Sequence, residues 1–394
     1  MKIKLQNIGI IESADINISG ITLIAGQNDS GKSTVGKVLY SIVRSLNINE
    51  KSFNSSKNEY VRGRVRDIRN LLLRTKPTNE NDQKILNQFN TDFIENRNSP
   101  FERLFVRFNI TNTSTASKLL SDLENIHLLF QEFSNESLRL QLNVFITEIN
   151  NRLRLERDSI EVLHYELDSF FQSEFGKQVK NRFIDGESFI SFDEETQKKI
   201  TFGETIKFEN FESNLDVFYD DVFFIESPIK LVDSGFYYGD SLLRDKSAYL
   251  NNKIFEPESE QDIFSDNREN FEKLNKIISE LIKGDFELNS NDELVFKKNG
   301  VEFDFNNVAT GIKSFGILQM LLKKGLLNSN SLLIIDEPEV HLHPSWQVFY
   351  AELLVRLSKE FAIPMVLTSH SPYFIESLDL FSKKYQYKSV TVFV

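Results

Sequence analysis

Three short stretches of this chain carry residue types that do chemistry. Gly26-Gln-Asn-Asp-Ser-Gly31-Lys32-Ser33 fits the spacing G-x-x-x-x-G-K-[ST]. Its glycines let successive backbone N–H groups close around a polyphosphate at a helix N-terminus, while Lys32 reaches the outer phosphates and Ser33 offers a hydroxyl to Mg²⁺. In Leu332-Leu-Ile-Ile-Asp336-Glu337 an apolar run ends in two carboxylates. Asp336 suits the Mg²⁺ shell, and Glu337 suits a base that orients and deprotonates an attacking water. Ile363-Pro-Met-Val-Leu-Thr-Ser-His370 closes a further apolar run on a histidine, placed to bond a γ-phosphate and tie it to the water-positioning carboxylate. Alone, either of the last two reads as a strand end; with the glycine loop they form one phosphate-handling set.

The elements that must position these groups alternate strand and helix. Ile21-Thr-Leu-Ile-Ala25 reads as a buried strand that enters the glycine loop, and Thr34 to Leu46 follows with Val35, Val38, Leu39, Ile42 and Val43 at helical spacing. From about residue 47, strand patterns vanish until about 187. Leu119, Leu123, Ile126, Phe130 and Phe133 make one helical stripe; Leu138, Leu142, Phe145, Ile149 and Leu153, continued by Ile160, Leu163 and Leu167, make a second beyond a break at Ser134–Ser137. The pair reads either as a helical subdomain with its own core or as an antiparallel coiled-coil arm of roughly 50 Å at 1.5 Å per residue. Residues 187–211 read as β-hairpins, and Asp221–Ile225 as a strand ending at Glu226-Ser227-Pro228. A helix is expected near Asn267–Lys283, and two short strands about the Lys298-Asn299-Gly300 turn.

Composition narrows the class. The chain has 394 residues, 40% hydrophobic and 26% charged, which is ordinary globular content. No apolar run approaches the roughly 18 residues of a membrane span, and the N-terminus lacks a signal peptide's apolar core, so a cytoplasmic chain with no membrane partner is expected. Zero cysteines exclude disulfides, thiolate zinc sites and thiol nucleophiles. A net charge of −12 repels polyanions on average, so a phosphate ligand must be captured locally. Phe, at 35 residues, is abundant without a specific functional reading.

Gly26-Gln-Asn-Asp-Ser-Gly-Lys-Ser-Thr34, Asp336-Glu-Pro-Glu-Val-His-Leu-His-Pro344 and Thr368-Ser-His-Ser-Pro372 resemble the Walker A, Walker B with D-loop, and H-loop of ABC-type ATPases. The flavour is that of the RecF, SMC and overcoming-lysogenization-defect (OLD) group, including AAA family ATPases of bacterial anti-phage systems. The resemblance implies an α/β fold: an ABC-type P-loop ATPase head, with a mixed sheet and flanking helices, in two parts at 1–46 and 217–394 about a helical insertion at 47–216. It implies ATP and Mg²⁺ as ligands. Gly26, Gln27, Asn28, Asp29, Ser30, Gly31, Lys32, Ser33 and Thr34 would hold the nucleotide, Ser33 and Asp336 the metal, with Glu337, His370 and Lys32 catalytic. Ala309-Thr310-Gly311-Ile312-Lys313 is similar to the Ser-Ser-Gly-x-Lys signature, with an Ala-Thr pair where serines are expected. Thr310 and Gly311 would contact a γ-phosphate held by the other subunit, so that two ATP molecules join a homodimer. Glu226 and Ser227 are the best Q-loop guess. By the same resemblance the role is a sensor or regulatory ATPase of a defence system with a separate effector protein. The alternative is a DNA-repair or chromosome-maintenance ATPase that clamps DNA.

Two further features compete with plainer readings. His341 and His343 invite zinc, but with five histidines and no cysteine the remaining ligands are hard to supply, and the resemblance implies a D-loop there. Arg62, Arg64, Arg66, Arg69, Arg74 and Lys76 form a basic stretch, with Arg62, Arg66 and Arg69 on one helical face. It suits nucleic-acid phosphates or an acidic partner, and equally a solvated face paired with local acids. Absent features prune the relatives: the short stretch after His370 has no room for a Toprim nuclease domain, and a zinc hook needs Cys-x-x-Cys. The strand-like close Val390–Val394, without a polar tail, is what a truncated chain would show.

Overall fold

Five apolar runs become one parallel sheet. In the computed structural model, which describes residues 1–47, 50–94, 113–156, 160–176, 178–192, 198–211, 218–226, 245–256, 268–291 and 293–393, contacts divide the chain into two units. One joins Met1–Asn47 to Leu163–Val394; the other is Ile48–Val162.

In the first unit, β3 (Ile21–Ala25), β7 (Asp221–Ile225), β11 (Ser331–Asp336), β12 (Met365–Ser369) and β13 (Ser389–Phe393) pair in the order β13-β3-β12-β11-β7. Every pairing is parallel, so all five carboxyl ends share one edge. Both faces of β3, β7, β11 and β12 are covered, which explains why these four are largely apolar runs rather than alternating ones, whereas Thr391 on the edge strand β13 is exposed. Ile24, Phe224, Ile334 and Val366 face a core with α1 (Lys32–Leu46) and an antiparallel sheet. Leu23, Phe223, Ile335 and Leu367 face the opposite core. That second core is built by α7 (Lys246–Phe255), α8 (Arg268–Ile282), α9 (Thr310–Lys323), α10 (Pro344–Phe361) and α11 (Pro372–Lys384). The antiparallel sheet has the order β2-β1-β4-β5-β6, from β1 (Lys2–Ile8), β2 (Ile11–Asn17), β4 (Ser188–Phe192), β5 (Lys198–Phe202) and β6 (Ile206–Glu209). A third sheet, β10-β9-β8, uses β8 (Asp285–Leu288), β9 (Leu294–Lys298) and β10 (Val301–Asp304). The mixed α/β head expected from the motifs is therefore present.

α1 is pinned at both ends. Gly36 lies against the sheet so closely that an added Cβ would sit 2.8 Å from Phe224. At its far end the buried Arg44 guanidinium lies 3.6 Å from the Tyr249 ring centroid and 4.0 Å from Asp221, at the start of β7. Tyr249 donates its hydroxyl to the same carboxylate at 2.5 Å. Burial, outweighing the Arg44 charge, pushes the Tyr249 phenol well above its ordinary range.

The second unit is helical: α2 (Glu50–Arg74), α3 (Glu80–Ile94), α4 (Thr113–Gln131) and α5 (Glu136–Arg154). α5 packs on α2 and α4, and Val65, Ile68, Phe89, Leu123, Phe130, Leu142 and Ile149 close a core of their own. Two expectations are corrected here. The second stripe is not one long helix, because α5 ends at Arg154 and α6 (Ile160–Phe175) begins anew. The inserted unit also ends at Val162 rather than near 216: Leu163, Leu167, Phe170 and Phe171 of α6 bury in the head core, and β4 pairs with β1. Among the described residues no helix is long and apolar enough to cross a membrane.

Candidate functional site

The strand order decides which chemical groups meet. β12 lies between β3 and β11, so His370, one residue past β12, emerges between the glycine loop after β3 and Asp336-Glu337 at the end of β11. Register places Ser369 opposite Ala25 and Thr368 opposite Asp336. Ligands of open α/β sheets bind at this carboxyl edge.

In the glycine loop Asp29 has φ 65° and Gly31 φ 95°. Gly31 is required twice over: its φ is left-handed, and a Cβ there would stand 2.5 Å from Ile11 Cγ1. Thr34 N–H and Val35 N–H donate to Gly31 O at 3.0 and 3.3 Å, starting α1 directly off the loop. Lys32 is buried and donates to Gly26 O at 3.0 Å and Gln27 O at 2.5 Å, an ammonium folded over its own loop. Gln27, Asn28 and Asp29 are exposed. Ser30 Oγ is buried and has no hydrogen-bond partner among the described residues, a group that a ligand at the loop would satisfy.

Ser33 Oγ donates to Asp336 Oδ1 at 3.0 Å, which brings together the two groups expected to share a metal. The same oxygen accepts from Thr368 Oγ1 at 2.5 Å, while Glu337 N–H donates to Thr368 Oγ1 at 3.0 Å. Thr368 thus bridges both carboxylate residues, a role its place in an apolar run concealed. Glu337 has φ 51°, and its Oε1 lies 3.1 Å from His370 Nδ1. A carboxylate accepts, so Nδ1 carries the hydrogen and Nε2 is left for a second partner.

The hydroxyl and amide of the expected signature begin α9. Ala309 is its N-cap, with no side-chain acceptor, and Gly311 packs so that a Cβ would meet His341 O at 3.1 Å. This helix start leans on the turn that follows Asp336-Glu337. His343 Nδ1 accepts from Ser345 N–H at 3.3 Å as the N-cap of α10. Among the described residues no group of three His, Cys, Asp or Glu could hold a metal ion. Glu226 directly follows β7 and lies 3.2 Å from Lys246, which also binds Glu174; Ser227 lies outside the described residues. In the helical unit Arg62, Arg66 and Arg69 are exposed, whereas half-buried Arg64 pairs with Asp67 and Glu148, each at 2.9 Å.

Comparison with known proteins bears on this arrangement. The retron Ec83 probable ATPase of Escherichia coli is 33% identical over 98 residues, 22% of this chain and 18% of that protein. The retron Vc95 probable ATPase of Vibrio cholerae serotype O1 biovar El Tor is 22% identical over 403 aligned residues, 94% of this chain and 71% of that protein. Among solved structures, the SMC head domain from Thermotoga maritima aligns over 96% of this chain and 91% of its own, at 11% identity and a TM-score of 0.34. The Smc head domain from Pyrococcus furiosus, bound to the C-terminal domain of ScpA, aligns over 95% and 90% at 12% identity and a TM-score of 0.32. The AAA ATPase domain family matches residues 1–375, nearly the whole chain and every motif described above, and the chain belongs to that family.

Proposed function

We propose that this chain binds ATP with Mg²⁺ at the carboxyl edge of its parallel sheet and hydrolyses it to ADP and phosphate. The observation that carries the reading is the convergence of Lys32, Ser33, Asp336, Glu337 and His370, from three separate segments, on one edge. Mg²⁺ held by Ser33 and Asp336 would neutralise charge on the outer phosphates. Lys32 exchanges the carbonyls of Gly26 and Gln27 for phosphate oxygens. Glu337 orients the attacking water and takes its proton, which passes to solvent after the phosphoanhydride bond breaks. As the imidazolium, the form in which both ring nitrogens carry hydrogen, His370 would donate from Nδ1 to Glu337 and from Nε2 to the γ-phosphate.

Thr310 and Gly311 serve a second copy, so two nucleotides join a homodimer and hydrolysis reopens it. Similarity to two retron probable ATPases supports a setting in anti-phage defence, where the proposed role is that of a cytoplasmic regulatory ATPase beside a separate effector. A second reading, a DNA-clamping ATPase, draws on the exposed Arg62, Arg66 and Arg69.

Glu337→Gln tests the first reading. Steady-state phosphate release should fall by roughly 10²- to 10⁴-fold, with ATP binding kept and the ATP-bound dimer persisting in light scattering. Turnover at the parent rate would remove Glu337 from its role.

A further inference from the structure

Glu339, two residues beyond the proposed base, has no part in the chemistry described so far. It is a charged residue in a turn, yet 4% exposed. Its Oε1 accepts from Ser369 Oγ at 2.7 Å, His370 N–H at 3.1 Å and Ser371 N–H at 3.3 Å. These donors bracket His370 at the point where β12 gives way to α11, whose N-cap is Ser371. The same oxygen lies 3.6 Å from His370 Nδ1. Gln347 ties the arrangement down from α10, donating to Glu339 O at 3.4 Å and accepting from Ser371 Oγ at 3.1 Å. Oε2 is buried, and among the described residues it has no hydrogen-bond partner. A buried carboxylate with one oxygen unpaired is costly as a stabilising device. Its three bonds are all made to the segment that carries the histidine.

We infer that Glu339 is a positioning residue for the hydrolytic step. It fixes the backbone on both sides of His370 and thereby sets the ring against Glu337. The inference rests on the hydrolysis reading above, so its test needs one arm independent of turnover.

Phosphate release is measured against ATP concentration for the parent, Glu339→Ala, Glu339→Gln, His370→Ala and the double alanine variant. Glu339→Ala should lower kcat roughly 10- to 100-fold while KM stays within about threefold. Glu339→Gln keeps an acceptor oxygen and should recover most of that loss. In a His370→Ala background, Glu339→Ala should cost less than about twofold, because its effect passes through the missing ring. An equal loss with and without His370, or a loss confined to KM, overturns the proposal. The independent arm is ¹⁵N NMR of histidine-labelled protein. The ring signal that disappears in His370→Ala should shift in Glu339→Ala, and an unmoved signal overturns the proposal whatever the turnover. If the parent releases no phosphate, the hydrolysis reading fails and the ring signal alone decides whether Glu339 places His370.

Discussion

Two buried carboxylates, one in each unit, look alike in sequence and differ in company. Asp82 of the helical unit accepts from Thr78 N–H at 3.2 Å, Ser134 N–H at 2.9 Å, Ser134 Oγ at 2.7 Å and the Thr78 hydroxyl. It ties the start of α3 to the turn between α4 and α5, and both its oxygens are bonded. Burial pushes its carboxyl up, but the Ser134 amide, the Thr78 and Ser134 hydroxyls and the Thr78 amide together hold it down to about 2. Glu339 of the head has one oxygen crowded with donors and one with none among the described residues. A saturated carboxylate is a fastening, whereas an incompletely satisfied one beside a cluster of reactive groups is kept for something other than stability.

The contrast can be broken or sharpened by experiment. The largest effect is expected at the glycine loop, where Gly31→Ala places a Cβ 2.5 Å from buried Ile11 at φ 95°. Calorimetric titration should find ATP affinity reduced by more than about tenfold, with backbone strain of roughly 1–3 kcal/mol lowering the thermal midpoint as well. Asp82→Ala should act in the opposite sense, removing about 1–3 kcal/mol of stability by taking away the charged acceptor that four hydrogen bonds share, while ATP turnover survives at permissive temperature. Its pH signature follows from a folded value below the unfolded one: the stabilisation is complete above about pH 4 and lost as pH falls towards 2. Acid melts of parent and variant should therefore converge in that window, and parallel curves would refute the assignment. The smallest effect is expected from neutralising Arg62, Arg66 and Arg69 together, which should leave basal turnover within about twofold, as surface substitutions usually do. Double-stranded DNA stimulating the parent but not that variant would favour the clamp reading.

The residues gathered at the sheet edge were more legible than their scaffolding. Lys32, Ser33, Asp336, Glu337 and His370, which the fold brings to one edge, could be singled out because each closes an apolar run or sits in a local motif, and local signals survive in a linear string. Thr368 and Glu339 could not, because their meaning comes from pairing across distance: Thr368 matters by its register with Asp336, and Glu339 by a turn that folds it inward. The head boundary was misjudged for a related reason. The helical period of Leu163, Leu167 and Phe170 is the same whether they face the helical unit's core or, as they do, the head's. The phenylalanines, without a reading in sequence, largely fill these cores, with Phe286 packed edge-on to Phe305 and 4.9 Å from Phe296 between ring centroids.

The strand that leads into the glycine loop has as its neighbours β12 and β13, both from the last part of the chain. During synthesis β3 is among the first segments made, yet neither partner exists until residues 365–393 have been added. At about 5–20 residues per second that is a wait of some tens of seconds with both edges unpaired. The sheet edge that carries the glycine loop therefore closes only after residues 365–393 have been made. The interval exposes an apolar β-edge to aggregation and gives holdase chaperones a window in which to act.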